Sequence, residues 1–182
     1  ALGYAEKSKK DFELGLIRNH YVGRTFIEPT QSIRSLGVKL KLNSTKTIVK
    51  NKSIILIDDS LVRGTTCHKI VKMLYENGAK EVHVRIACPE IKYPDFYGVD
   101  MPTKEELLAY KKDNNEMCKY INAKSLKFLS LKGLYKALIN EKRISSYPQF
   151  SDHYFTGDYP IKPLDKIEGI KIKQLSLSLL HI

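Results

Sequence analysis

The hydrophobic pattern of the chain changes period several times, and each change marks an element. Residues 11–17 (DFELGLI) alternate well enough for a strand. Residues 54–57 (Ile-Ile-Leu-Ile) do not alternate. A continuous β-branched run of this length suits a strand covered on both faces, as in a parallel sheet between helices. The period then becomes helical, with Ile70, Val71 and Leu74 on one face and Gly78 placed as a stop. Residues 81–87 (EVHVRIA) alternate again and end at Cys88-Pro89, which predicts a second strand and so a βαβ unit. Thr103-Lys104-Glu105-Glu106 has the form of a capping box and predicts a helix holding Leu107 and Leu108. Residues 126–129 predict a short strand, and Ser130 caps a helix running from Leu131 to about Asn140. Residues 1–10 look like the end of a helix. Residues 91–102 (IKYPDFYGVDMP) make a loop whose Tyr93, Phe96 and Tyr97 are expected to pack on the sheet.

Between the strand at 54–57 and the helix after it lies the densest chemistry. Asp58 and Asp59 stand at the carboxyl end of the strand, where open α/β sheets bind their ligands. Ser60, Leu61, Val62, Arg63 and Gly64 follow, then the hydroxyls of Thr65 and Thr66 where the helix begins. Backbone N–H groups around Gly64 can converge on an anion, aided by the helix dipole, and the two threonines add hydroxyl donors. A phosphate on this loop beside two carboxylates suggests a phosphorylated sugar whose hydroxyls, or a Mg²⁺ ion, meet the acids. The plain alternative is an ordinary βα turn with solvated polar residues. No Walker pattern is present, which disfavours an ATPase. A second mixed stretch, residues 18–27, carries Arg18, Tyr21 and Arg24 without a clean period. It is either a structured loop or a lid that brings cations and a ring over an anion.

The string Ile-Leu-Ile-Asp-Asp-Ser-Leu-Val-Arg-Gly-Thr-Thr resembles the phosphoribosyl pyrophosphate (PRPP) signature of type I phosphoribosyltransferases. With ELGLIRNHYVGRTFIEPTQSIRSLGVKLKLN upstream, it resembles the glutamine phosphoribosylpyrophosphate amidotransferase family over residues from about 3 to about 160. That resemblance implies an α/β fold with a type I phosphoribosyltransferase-like parallel sheet flanked by helices. It also implies a partial phosphoribosyltransferase domain over 1–160 and a tail of undefined state over 161–182. In the family, ammonia released from glutamine displaces pyrophosphate from C1 of PRPP, giving 5-phosphoribosylamine at the start of purine synthesis. By the same resemblance, Asp58 and Asp59 are catalytic and hold Mg²⁺, and residues 60–66 hold the 5-phosphate. Tyr21, Arg24 and Lys41 belong to a loop that closes over PRPP, with Lys41 reaching the pyrophosphate. The family's glutaminase domain, first core strand and pyrophosphate loop would precede Gly3, so the sheet is expected to be incomplete. Three readings follow: a piece that is inactive alone, which is favoured, a chain that pairs with a second polypeptide carrying those parts, or a non-catalytic PRPP- or nucleic-acid-binding module. A homo-oligomer is left open. Some members of the family ligate an iron–sulfur cluster through cysteine. At the matching positions this chain has Asp95, Pro148, Ser151 and Tyr154, so no cluster is expected.

Composition adds limits. The 182 residues suffice for one domain with a sizeable core, and no apolar run reaches the roughly 20 residues of a membrane span. Three widely spaced cysteines argue against a disulfide framework or zinc and fit a reducing cytoplasm. The net charge of +11 favours anionic partners, but the lysines are scattered with few interleaved aromatics, which disfavours a dedicated nucleic-acid site. The five histidines are dispersed and fit structural or exposed positions better than catalysis.

Overall fold

A computed structural model describes residues 1–18, 42–44, 46–99 and 103–161. In chain order its elements are α1 (Leu2–Ser8), β1 (Leu16–Arg18), β2 (Leu42–Ser44), α2 (Lys46–Val49), β3 (Ser53–Asp58), α3 (Thr65–Glu76) and β4 (Glu81–Ile86). They continue with a 3₁₀ turn (Lys104–Glu106), α4 (Leu108–Lys111), α5 (Asn114–Tyr120), β5 (Ser125–Phe128), α6 (Leu131–Ile139) and α7 (His153–Thr156).

The architecture is α/β. Strands β3, β4 and β5 form a parallel sheet in that order, with Leu56 opposite Val84 and Val84 opposite Leu126. Separately, β1 and β2 pair antiparallel. The core lies between the three-stranded sheet and its helices. Val82, Val84 and Ile86 of central β4 are almost fully buried, and α3 packs Cys67, Ile70, Val71 and Leu74 into the same cluster. The continuous apolar run at 54–57 is β3. Gly78, at φ 91°, takes the left-handed conformation that ends the αβ connection.

Two local expectations are corrected. Thr103 makes no side-chain cap, and the segment after it is a 3₁₀ turn, with the helix starting only at Leu108. A complete capping box instead opens α5. There Asp113 accepts from the Glu116 N–H at 2.8 Å, and Glu116 accepts from the Asp113 N–H at 2.9 Å. The aromatic loop packs against the C-terminal segment rather than the sheet. Tyr97 donates its hydroxyl to the Ile161 carbonyl at 2.6 Å, and Phe96 stacks against Tyr159. Residues 11–15 are irregular, so the strand expected over 11–17 begins only at Leu16. Among the described residues no helix is long and apolar enough to cross a membrane.

Candidate functional site

Parallel strands end together, and here their ends are tied by backbone bonds. The Ala87 N–H donates to the Asp58 carbonyl at 2.9 Å, and the Leu129 N–H donates to the Ile86 carbonyl at 3.0 Å. This brings the ends of all three strands to one edge. Asp58 and Asp59 project from that edge, and residues 60–64 turn the chain directly into α3.

Sequential Asx bonds hold the turn. Asp58 Oδ1 accepts the Asp59 N–H at 3.1 Å, and Asp59 Oδ1 accepts the Ser60 N–H at 2.8 Å and the Ser60 hydroxyl at 3.3 Å. Each carboxylate thus spends Oδ1 on the loop and keeps Oδ2 outside these bonds. Leu61 is buried and anchors the loop through its side chain. The Val62 carbonyl accepts the Leu108 N–H at 2.9 Å. Of the seven loop residues expected to bind substrate, Leu61 and Val62 can therefore offer little but backbone. Arg63 is held by the exposed Glu106 carboxylate at 2.6 Å, on the 3₁₀ turn.

Gly64 is the residue the loop needs most. It caps α3 at φ 76°, a left-handed conformation, with no side-chain cap. A Cβ added there would lie 2.6 Å from Leu108 Cδ2 and 3.0 Å from Tyr120 Cε1, so the backbone passes too close to α4 and α5 for a side chain. The first helical bond of α3 runs from the His68 N–H to the Gly64 carbonyl at 2.9 Å. The N–H groups of Thr65, Thr66 and Cys67 therefore lack intrahelical partners. With the two half-buried threonine hydroxyls, they form a donor-rich cup for an anion.

The electrostatics separate the two carboxylates. Burial pushes the Asp58 carboxyl up to about 6. The Asp59 N–H bond opposes this, and the neighbouring Asp59 charge adds to it. Beneath the acids lie two thiols. Burial, reinforced by Asp58, raises Cys67 to about 12, and burial, reinforced by Asp59, raises Cys88 to about 11. Both are neutral thiols rather than nucleophiles at neutral pH. Cys88 carries no role in the linear pattern; its place just past the end of β4, beside the β3 acids, was the available signal. Glu106 carried no local signal at all.

Two adjacent carboxylates, one raised by burial and with no cation beside it among the described residues, are a donor set that suits a hard divalent cation through oxygen. Two side chains do not complete such a shell, and among the described residues no group of three or more His, Cys, Asp or Glu side chains could hold a metal. Substrate oxygens and water would supply the rest. Tyr21, Arg24 and Lys41, expected to close over the substrate, lie outside the described residues, as does most of the 161–182 tail.

A second polar cluster lies away from the loop. Asp152 receives the Arg143 guanidinium through both its oxygens and the Tyr135 hydroxyl at 2.8 Å. His153 Nε2 sits 2.9 Å from Asp95 Oδ1, in a pair almost wholly buried. Asp95 also accepts the N–H groups of Tyr97 and Val99, each at 2.8 Å. Two of the positions matched to iron–sulfur ligands, Asp95 and Tyr154, are thus part of a hydrogen-bonded polar cluster. The other described histidines make ordinary contacts, His68 with the Tyr120 carbonyl and His83 with Ser125.

No family model matches the chain. Individual proteins do. The chain is 58% identical over 167 residues to an amidophosphoribosyltransferase of Rhizobium etli, which takes in 91% of this chain and 34% of that protein. It is 49% identical over 174 residues to the chloroplastic amidophosphoribosyltransferase 1 of Arabidopsis thaliana, covering 96% of this chain and 29% of that one. Among solved structures, the glutamine PRPP amidotransferase of B. subtilis in complex with ADP and GMP superposes with a TM-score of 0.75 at 47% identity. That match covers 88% of this chain and 35% of the other. The chain spans about a third of the length of the relatives it matches.

Proposed function

Because the chain is homologous to about a third of amidophosphoribosyltransferases, we propose that it is the PRPP-binding part of such an enzyme. In this reading residues 1–160 work as one phosphoribosyltransferase unit, and ammonia displaces pyrophosphate from C1 of PRPP to give 5-phosphoribosylamine. The observation that carries it is the strand–loop–helix unit, in which a raised Asp58 and a second carboxylate stand beside the donor cup of Gly64, Thr65 and Thr66.

The roles follow from charge. The donor cup and the hydroxyls of Ser60, Thr65 and Thr66 bind the 5-phosphate and set the ribose over the strand end. Asp58 and Asp59 then face the ribose hydroxyls. As pyrophosphate departs, positive charge grows on the ribose ring, and the paired carboxylates stabilise it. Asp58 and Asp59 would hold a Mg²⁺ ion together with substrate oxygens, and the ion would supply neutralisation of the pyrophosphate charge. Tyr21, Arg24 and Lys41 bring a ring and two cations over the bound substrate and exclude water that would compete with ammonia. The glutaminase and the pyrophosphate loop lie outside these 182 residues, and the setting is cytoplasmic.

Mg²⁺-dependent PRPP binding, measured by calorimetry on the purified chain, tests the reading. Binding that vanishes in the Asp58→Asn/Asp59→Asn double variant is the expected result. No PRPP binding by the cooperatively folded wild type would overturn it.

A further inference from the structure

Between residues 58 and 66 the chain carries two carboxylates and one cation, Arg63. A phosphate monoester seated on the cup of residues 64–67 stands close to both acids. Apart from the helix dipole, the cup offers it only neutral donors. How well a phosphate dianion is held there therefore turns on where the Arg63 guanidinium is placed.

Glu106 sets that placement. The Arg63 Nε–H donates to Glu106 Oε2 at 2.6 Å. Arginine–carboxylate pairs commonly use two parallel N–H groups. This one uses a single bond, on the Nε edge. Among the described residues no hydrogen bond or ion pair ties Nη1 or Nη2. Those two groups form the planar fork that fits two oxygens of a phosphate.

Glu106 is itself held in place. It closes the 3₁₀ turn Lys104–Glu106, and its N–H donates to the Thr103 carbonyl at 2.9 Å. The next two residues, Leu107 and Leu108, are buried. The Leu108 N–H bond to the Val62 carbonyl pins the turn to the loop one residue before Arg63. At the start of the turn, the Lys104 ammonium lies over the Tyr110 ring at 4.5 Å from its centroid, and 5.8 Å from that of Tyr93. A carboxylate on a turn fixed at both ends presents one orientation to its partner. Stability does not account for the pair, since its side chains are 46% and 49% exposed and such pairs add little to folding.

We propose that Glu106 is a positioning residue of the phosphate site: through the Nε of Arg63 it turns the Nη fork onto a phosphate monoester held by residues 64–67. The proposal rests on the reading of this loop as the seat of the 5-phosphate. Glu106 touches no substrate and acts only through Arg63. Its own charge repels phosphate, so the orienting contact has to outweigh that repulsion, which fixes the sign of the test.

Ribose 5-phosphate binding to the full chain, measured by calorimetry without Mg²⁺, isolates the phosphate site. Arg63→Lys keeps the charge but removes Nε and the fork, and should weaken binding by about tenfold or more. Glu106→Ala should weaken it by about five- to tenfold. Glu106→Gln keeps an oxygen that accepts the Nε–H, and should bind within about twofold of the wild type. In the Arg63→Lys background, Glu106→Ala should change nothing, the signature of a residue that acts through another. Urea midpoints of all variants should match that of the wild type, which separates positioning from a structural role. Four results overturn the proposal: a wild type that binds no ribose 5-phosphate, a Glu106→Ala chain that binds as well as the wild type or better, a Glu106→Gln chain that binds no better than Glu106→Ala, or a loss that persists in the Arg63→Lys background. A wild type that binds ribose 5-phosphate but not Mg²⁺ with PRPP removes the PRPP reading and leaves the role of Glu106 standing.

Discussion

Asp58 and Asp152 are the same side chain in two partly or fully buried places, and their carboxyls move in opposite directions. At Asp152, burial pushes the carboxyl up, but bonds from Arg143 and Tyr135 outweigh it and hold it below the ordinary range. At Asp58, burial pushes the carboxyl up to about 6, and what faces it is a second carboxylate. The first cluster is electrostatically complete and fastens the 143–158 stretch to α6. The second has no counter-charge among the described residues. Perturbed carboxylates that lack their counter-charge mark sites where a ligand brings it. Paired ones mark structure.

The largest effect should come from breaking the complete cluster. Arg143→Met leaves Asp152, 3% exposed, as a buried carboxylate with too few donors. The loss should be about 3–5 kcal/mol, measured by urea unfolding at pH 7. A loss under about 1 kcal/mol would show that the cluster does not fasten the segment. Next, Gly64→Ala places a Cβ in a left-handed conformation and 2.6 Å from Leu108 Cδ2. It should cost about 1–3 kcal/mol and weaken PRPP binding together with stability.

Asp58→Asn should do the reverse and stabilise the fold. The folded carboxyl titrates near 6 and the unfolded one near 3.8, so between these values the folded state binds more protons. Stability therefore falls as pH rises from about 4 to about 6, and the full penalty stands at pH 7. Removing the charge should restore up to about 2 kcal/mol at pH 7, and nothing below about pH 4. Asp152 has the opposite sign. Its contribution is present above the unfolded value near 4 and is lost as pH falls below it. Unfolding measured from pH 3 to 7 on the wild type, Asp58→Asn and Arg143→Met separates the two. A stabilised Asp58→Asn chain that no longer binds PRPP would show stability given up for function. The smallest effect should be that of Arg63→Ala. Its pair with Glu106 is exposed on both sides and should contribute less than about 1 kcal/mol.

The unit from Ser53 to Gly78 was legible because its signals are local. An unbroken apolar run, two acids, a glycine and two hydroxyls each act within a few residues of themselves. The capping box shows the limit of such reasoning. Thr103-Lys104-Glu105-Glu106 has the right letters, yet the Asp113–Glu116 pair forms the box, because α5 presents Met117 and Ile121 to the core and α4 starts late, at Leu108. The loop's tilt against Leu108 and Tyr120 had no local signature, and neither did the Arg63–Glu106 pair, 43 residues apart.

The sequence alone determined the chemistry of the loop and the α/β pattern around it, because strand, turn and helix signals are properties of neighbouring residues. Tertiary structure decided the state of each group. The rise of Asp58, the inertness of Cys67 and Cys88, and the closure of Asp152 by Arg143 and Tyr135 all depend on burial and on partners distant in the chain. Desolvation and pairing are set by what packs nearby in space, and no run of adjacent residues records that.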